Sequence, residues 1–391
     1  MTINFTLSVI LLIVGIVVGV IAALSLLVIK ANKEANKYLA ALVLVCVAAL
    51  LHNFLIAAGI YNQKPQLYFM PLLLSFGIGP LLYLFIKRLI FINPLSKKLI
   101  FLHLTPLLIQ FLFYLVCFLQ NAEVKYEIYA RYYESFINPV QTLVTYISVA
   151  IYIFLSFKEI EYYKQQLNDF YSNTDKIELK WLKRLLYVFM SYYLLSIFFI
   201  IVSYSFNISQ NYFPSDFIRC VIIFTIAVYA ANQKTLSSVH EDIYTLTVTP
   251  PLSETVSNNH PELIVPEKVE EIKTAKPKEV NKELLQQVVD IVENDKLYLN
   301  EELSIADLAS KLGYSTKTIS FTINNGLQKS FSLFINEYRV NLFKEMKSSG
   351  NFEHLSIMGL AYDCGFNSKS SFNRIFKEIA GFAPKEQKMQ E

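Results

Sequence analysis

Through residue 231 the chain alternates long apolar stretches with short polar ones. Seven stretches reach or approach the roughly 20 apolar residues that a helix needs to cross a bilayer core. They run Leu7 to Ile29, Tyr38 to Ile60, Tyr68 to Leu89, Leu99 to Leu119, Pro139 to Phe157, Trp181 to Phe206 and Phe217 to Ala231. The pattern predicts an all-α fold that opens with a seven-helix transmembrane bundle over residues 1–234. The first stretch is not a cleaved signal peptide on this reading, because no basic segment precedes it and its apolar run is too long. From residue 235 to 280 the apolar period disappears, and Pro250, Pro251, Pro261, Pro266 and Pro277 stand among Ser, Thr, Asn and Glu. Such a composition cannot bury a core and predicts a flexible cytoplasmic linker. Residues 281–391 return to a helical period with charged residues between the apolar ones, the signature of soluble helices with one buried face.

Composition supports this division. The 391 residues are 54% hydrophobic and only 17% charged, with a mean hydropathy of +0.38, too apolar for one ordinary soluble domain. The four cysteines, Cys46, Cys117, Cys220 and Cys364, are scattered and form neither a disulfide framework nor a zinc spacing. Basic residues separate by loop. Lys30, Lys33 and Lys37, then Lys87, Arg88, Lys97 and Lys98, then Lys158, Lys164, Lys176, Lys180, Lys183 and Arg184 fall on one side; Lys64, Lys125, Arg131 and Arg219 fall on the other. Cytoplasmic loops are enriched in Lys and Arg, so the N-terminus is expected outside and the C-terminal part in the cytoplasm.

No charged residue stands near the centre of an expected span, which disfavours an ion-coupled transporter, because coupling ions need intramembrane charge. The polar exceptions are His52, Asn53 and His103. Their side chains would either hydrogen-bond between helices or line a ligand pocket in the bundle. Gly77, Gly79 and Pro80 would kink the third span, and Gly15 and Gly19 could let two first helices approach closely. The outer loop from Asn121 to Asn138 carries Tyr126, Tyr129, Tyr132, Tyr133 and Phe136 at helical spacing, as in an interfacial helix or a lid.

The cytoplasmic segment contains an internal repeat. Ser304, Ile305, Leu308, Ala309, Gly313 and Tyr314 recur 52 positions later as Ser356, Ile357, Leu360, Ala361, Gly365 and Phe366. Ser304 with Asp307 forms a capping-box pattern, and Ser356 caps its own copy. The alanines are small where two helices cross, and the glycines suit the left-handed turn that ends a helix. Ser315, and Asn367 or Ser368, would cap a second helix in each copy. The pattern reads as two helix-turn-helix units, about 304–325 and 356–379, joined by a helix from Ser330 to Lys347.

With these phrases in hand, above all Ser330 to Val340 and Leu360 to Pro384, the segment resembles the DNA-binding domain of AraC-family transcription regulators. The multi-pass half, through Gly79 to Lys87 and Ile177 to Leu186, resembles membrane-bound members. The resemblance implies a seven-helix domain that offers two recognition helices to successive major grooves of double-stranded promoter DNA, with RNA polymerase as a further partner. Its base-reading positions fall on Lys317, Ser320 and Phe321 in the first recognition helix, and on Lys369, Ser370, Asn373 and Arg374 in the second. Two departures stand out: Phe321 occupies a position where a polar reader is common, and Gln387 and Lys388 replace an aromatic and an Arg after Pro384. With 13 basic against 14 acidic residues in 281–391, phosphate binding would need a local cluster drawn from Lys311, Lys317, Lys329, Arg339, Lys369, Arg374 and Lys377.

The expected function is a one-component regulator in the bacterial inner membrane that senses an unidentified small-molecule signal in its bundle and binds promoters, alone or as a homodimer. A transporter or an enzyme with a fused DNA-binding tail is the alternative, and a bundle that merely anchors the domain is a third. No nucleophile elbow, metal cluster or phosphate loop is present in the sequence, so neither catalysis nor a cofactor is expected.

Overall fold

The computed structural model describes residues 6–91, 95–174, 179–206, 213–231, 280–349 and 355–386. The expected linker lies outside the described residues except for Val280. Every regular element among them is helical, and the strand-like pairing consists of one isolated bridge between Tyr171 and Ser304. Two compact units form. Among the described residues, the first combines those up to Tyr162 with those from Leu179 to Ala231, and the second combines 163–174 with those from Val280 onward.

The first unit contains α1 (Leu7–Val28), α2 (Lys33–Ala57), α3 (Ile60–Gln63), α4 (Ile78–Ile90), α5 (Lys97–Phe118), α6 (Ala122–Ile128), most of α7 (Asn138–Phe170), α8 (Lys180–Ser205) and α9 (Phe213–Ala231). Thr6 and Ser96 begin α1 and α5 by accepting from the amides of Val9 and Leu99. Among the described residues, α1, α2, α5, α8 and the helical run Ala122–Phe170 are long and apolar enough to cross a membrane.

The third expected span is not one helix. Phe69 adopts a left-handed φ of 62°, a 3-10 turn occupies Ser75–Gly77, and α4 that follows has 13 residues. At 1.5 Å per residue α4 measures about 20 Å, short of a bilayer core. Pro80 explains the break, since proline is tolerated in the first turn of a helix and not in its interior. Instead of a kink, the glycines and proline mark a helix start.

The paired glycines of α1 also serve differently from expectation. A Cβ on Gly15 would collide with Cys220 Sγ of α9, and one on Gly19 with Val47 of α2. The small stripe therefore seats α1 against its own chain. The outer loop is not a single amphipathic helix either: α6 passes into a π-helical stretch, Tyr129–Ile137, that leads directly into α7. Tyr129 and Tyr133 stack on one another at 5.3 Å and face inward, whereas Tyr126, Tyr132 and Phe136 are exposed.

The second unit holds α10 (Lys282–Asn294), α11 (Ile305–Leu312), α12 (Thr316–Gly326), α13 (Phe331–Ser348), α14 (Ile357–Asp363) and α15 (Lys369–Ala380), closed by a 3-10 turn at Pro384–Glu386. It has two cores. Leu284, Val288, Leu308, Ile319, Ile323, Phe331 and Ile335 build the first, and Val340, Phe343, Leu360, Phe366, Phe372 and Phe376 the second. The long helix α13 contributes to both. Phe170, at the end of α7, belongs to the first core, and the turn after it is hydrogen-bonded to Leu303 and to α13. The sequence reading placed nothing before residue 281 in this unit.

Candidate nucleic-acid interface

Each helix-turn-helix is set by local chemistry. The Asp307 carboxylate accepts from both the amide and the hydroxyl of Ser304 at 2.8 Å, so α11 starts where the capping box requires. Gly313 ends it at a φ of 73°. Ser315 accepts from Thr318 N at 3.1 Å and starts α12. In the second copy Ser356 accepts from Gly359 N at 3.0 Å, and Ser368, rather than Asn367, accepts from Ser371 N at 3.1 Å.

Gly365 combines two constraints. Its φ is 88°, and a Cβ there would lie 2.6 Å from the Tyr298 carbonyl oxygen and 3.1 Å from Arg339 Nε. The turn of the second helix-turn-helix is thereby pressed against residues 298–299, which lead into the first helix-turn-helix. Such a contact needs both the backbone freedom and the missing side chain of glycine.

The expected DNA-reading residues fall on two helix faces turned away from these cores. On α12, Ile319, Thr322 and Ile323 are buried, Lys317 is exposed, and Ser320 and Phe321 are half-buried. On α15, Ser371, Phe372, Ile375 and Phe376 are buried, while Lys369, Ser370, Asn373 and Arg374 are exposed. Arg374 lies 3.6 Å from Glu378 one turn on, both side chains being largely in solvent, so the guanidinium can leave that partner at little cost. Asn324 shares the outward stripe, one turn beyond Ser320 and Phe321; the 3.6-residue period would have found it.

The cluster of basic residues is smaller than expected. Arg339 is 1% exposed and donates to the carbonyls of Tyr298 and Asn300, both at 2.7 Å, and to Asn336 Oδ1 and Ser172 Oγ, both at 3.1 Å. Burial brings its pKa down to about 10, still charged at neutral pH, and four neutral oxygens hold that charge. It is a structural centre and cannot reach phosphate. Lys311 pairs with Asp295 at 2.9 Å and Lys329 with Glu337 at 2.6 Å. Lys317, Lys369, Arg374 and Lys377 remain as the exposed basic groups of α12 and α15.

The polar residues expected in the bundle do not share a site. His52 meets Tyr61 OH at 2.9 Å, Asn53 donates to Asp216 Oδ1 at 2.7 Å, and His103 meets Tyr152 OH at 2.8 Å. Asp216 in turn accepts from Arg219, which also donates to Tyr192 OH at 3.0 Å. This network ties α2, α8 and α9 together and was missed because its link from Asn53 to Asp216 spans 163 positions. Among the described residues no group of three His, Cys, Asp or Glu could hold a metal ion.

A family profile described as "Helix-turn-helix domain" matches residues 308–389. Curated relatives include uncharacterized HTH-type transcriptional regulators of Staphylococcus aureus strains MSSA476 and N315, each 29% identical over 107 residues. Those matches cover 27% of this chain and 14% of each relative. No solved structure matches. The C-terminal part of the chain is thus similar to helix-turn-helix domains, with weak homology to HTH-type transcriptional regulators of which the chain spans only a small part.

Proposed function

We propose that the chain is a membrane-embedded one-component transcription regulator, in which α12 and α15 bind promoter DNA and the first unit responds to a signal. One observation carries the DNA reading: two helices, each capped by serine and each preceded by a glycine turn, present Lys317, Lys369, Asn373 and Arg374 outward over separate cores. Arg374 suits the O6 and N7 acceptors of guanine, and Asn373 suits adenine, while the lysines suit phosphate. Phe321 offers thymine methyls an apolar contact.

Membrane embedding is supported by the exposed sides of the apolar helices. Val14, Val17, Ile21 and Leu24 of α1, Phe101, Leu102 and Ile109 of α5, and Leu194, Phe198 and Ile201 of α8 are exposed. Such surfaces are costly in water and suited to lipid. The seven-crossing topology with the N-terminus outside, in which α4 and the turns before it (residues 68–90) together make the third passage as a broken span, belongs to this proposal as well, as do the homodimer and the contact with RNA polymerase. His52, Asn53 and His103 act in it as interhelical ties whose partners a signal would rearrange. The test is capture of cross-linked DNA on the tagged full-length protein from washed membranes. Discrete promoter fragments should be enriched, and the double variant Lys369→Ala with Arg374→Ala should lose them. Recovery of the protein in the soluble fraction, or of no enriched fragment, would overturn the reading.

A further inference from the structure

The end of α7 and the turn behind it grip the first helix-turn-helix. Phe170, 8% exposed, inserts into the core built by α10 to α13. Ser172, 1% exposed, takes part in five hydrogen bonds. Its amide and hydroxyl donate to the Leu303 carbonyl at 3.1 and 2.7 Å. Its carbonyl accepts from Asn336 Nδ2 at 2.9 Å and from Ser332 Oγ at 3.2 Å, and its Oγ accepts from Arg339 Nη2. Tyr171 adds the bridge to Ser304.

One contact reaches the outward stripe of α12. The Asp169 carboxylate accepts a hydrogen bond from the side chain of Asn324. Asn324 lies on the helix face of Lys317, Ser320 and Phe321, opposite buried Ile319 and Ile323. Its Oδ1 is nonetheless buried and has no hydrogen-bond partner. A carboxylate at that place repels DNA phosphates, and an unsatisfied buried amide oxygen makes the closed arrangement costly to keep.

We propose that Asp169–Thr174 is an intramolecular clamp on the first helix-turn-helix unit, which blocks the outward face of α12 until the segment is withdrawn. The proposal rests on the DNA-binding reading. Withdrawal frees Asn324 for water or DNA and removes the carboxylate. The clamp consists of the last residues of α7 and the turn after it, so a shift of that helix along its axis is a pull on Phe170 and Ser172. No signal then has to pass through the 232–279 stretch.

The experiment uses the full chain in lipid nanodiscs with a random-sequence duplex pool at low salt, comparing wild type, Asp169→Asn and Phe170→Ala. Asp169→Asn keeps the shape and removes the charge, and should tighten DNA binding roughly fivefold. Phe170→Ala removes the anchor and should tighten it by about tenfold or more. Hydrogen exchange provides a second readout that does not depend on a variant folding correctly. On addition of DNA to the wild type, the amides of Tyr171 and Ser172 should lose protection while those of α13 keep it. DNA binding equal in all three proteins, with protection at Ser172 unchanged by DNA, would overturn the clamp and leave the regulator reading intact. Absence of DNA binding in every protein would overturn both.

Discussion

At the scale of single residues, the proposed division of labour between α12 and α15 rests on side-chain chemistry and exposure. Asn373 and Arg374 are both exposed and both carry paired hydrogen-bonding groups, whereas Ser320 and Phe321 are half-buried and offer one hydroxyl and one ring. A good bidentate base contact is worth about 1–3 kcal/mol of discrimination. Arg374→Ala should therefore relax preference at one base position in a randomised-site selection. Lys317→Ala should weaken all sequences alike and reduce the salt slope by about one phosphate contact. An unchanged motif in Arg374→Ala, together with a motif lost in Phe321→Ala, would reverse the assignment of readers. Gly365→Ala tests the structural side. A positive φ of 88° and a Cβ 2.6 Å from the Tyr298 carbonyl should cost about 3 kcal/mol or more, seen as a lower denaturation midpoint of the second unit. Gly313, with the same sign of φ and open space around it, should cost about 1 kcal/mol on the same substitution.

Among the elements, the helix-turn-helix units were legible because their determinants are local. A cap, a small residue and a turn glycine sit within ten positions, and the repeat shows them twice. Asp307→Ala, which removes the acceptor of both Ser304 donors, should lower the stability of the second unit by about 1 kcal/mol. The elements that departed from expectation depend on non-local contacts or on backbone details that hydropathy does not weigh. The stretch Tyr68 to Leu89 is apolar enough for a span, yet Pro80 and the left-handed Phe69 make it a turn and a short helix. Gly15 and Gly19 showed a surface for close approach, but only the fold reveals that α9 and α2 fill it. Arg339 was legible as a charge and not as a buried one, because its partners come from Ser172, Tyr298, Asn300 and Asn336.

For the molecule as a whole, the apolar period separated a bundle from a polar segment and a helical domain. It did not assign residues 163–174 to the second unit, although Tyr163, Leu167 and Phe170 recur there at helical spacing and are buried; the polar residues between them ended the apolar stretch that hydropathy follows. The proposed topology has its own check in reporter fusions after Gly59 and after residue 234. An exported signal at the first and a cytoplasmic one at the second are expected, and the reverse at either would remove the arrangement. On the proposal above, this chain reads DNA while embedded in a bilayer. The most direct measurement is duplex selection by the full-length protein in nanodiscs, followed by titration of the selected duplex with salt. An enriched motif that requires Arg374 is expected, with an affinity that falls linearly in log–log form as salt rises, as counterion release from phosphate contacts demands. Failure to enrich any sequence, or binding indifferent to salt, would contradict it.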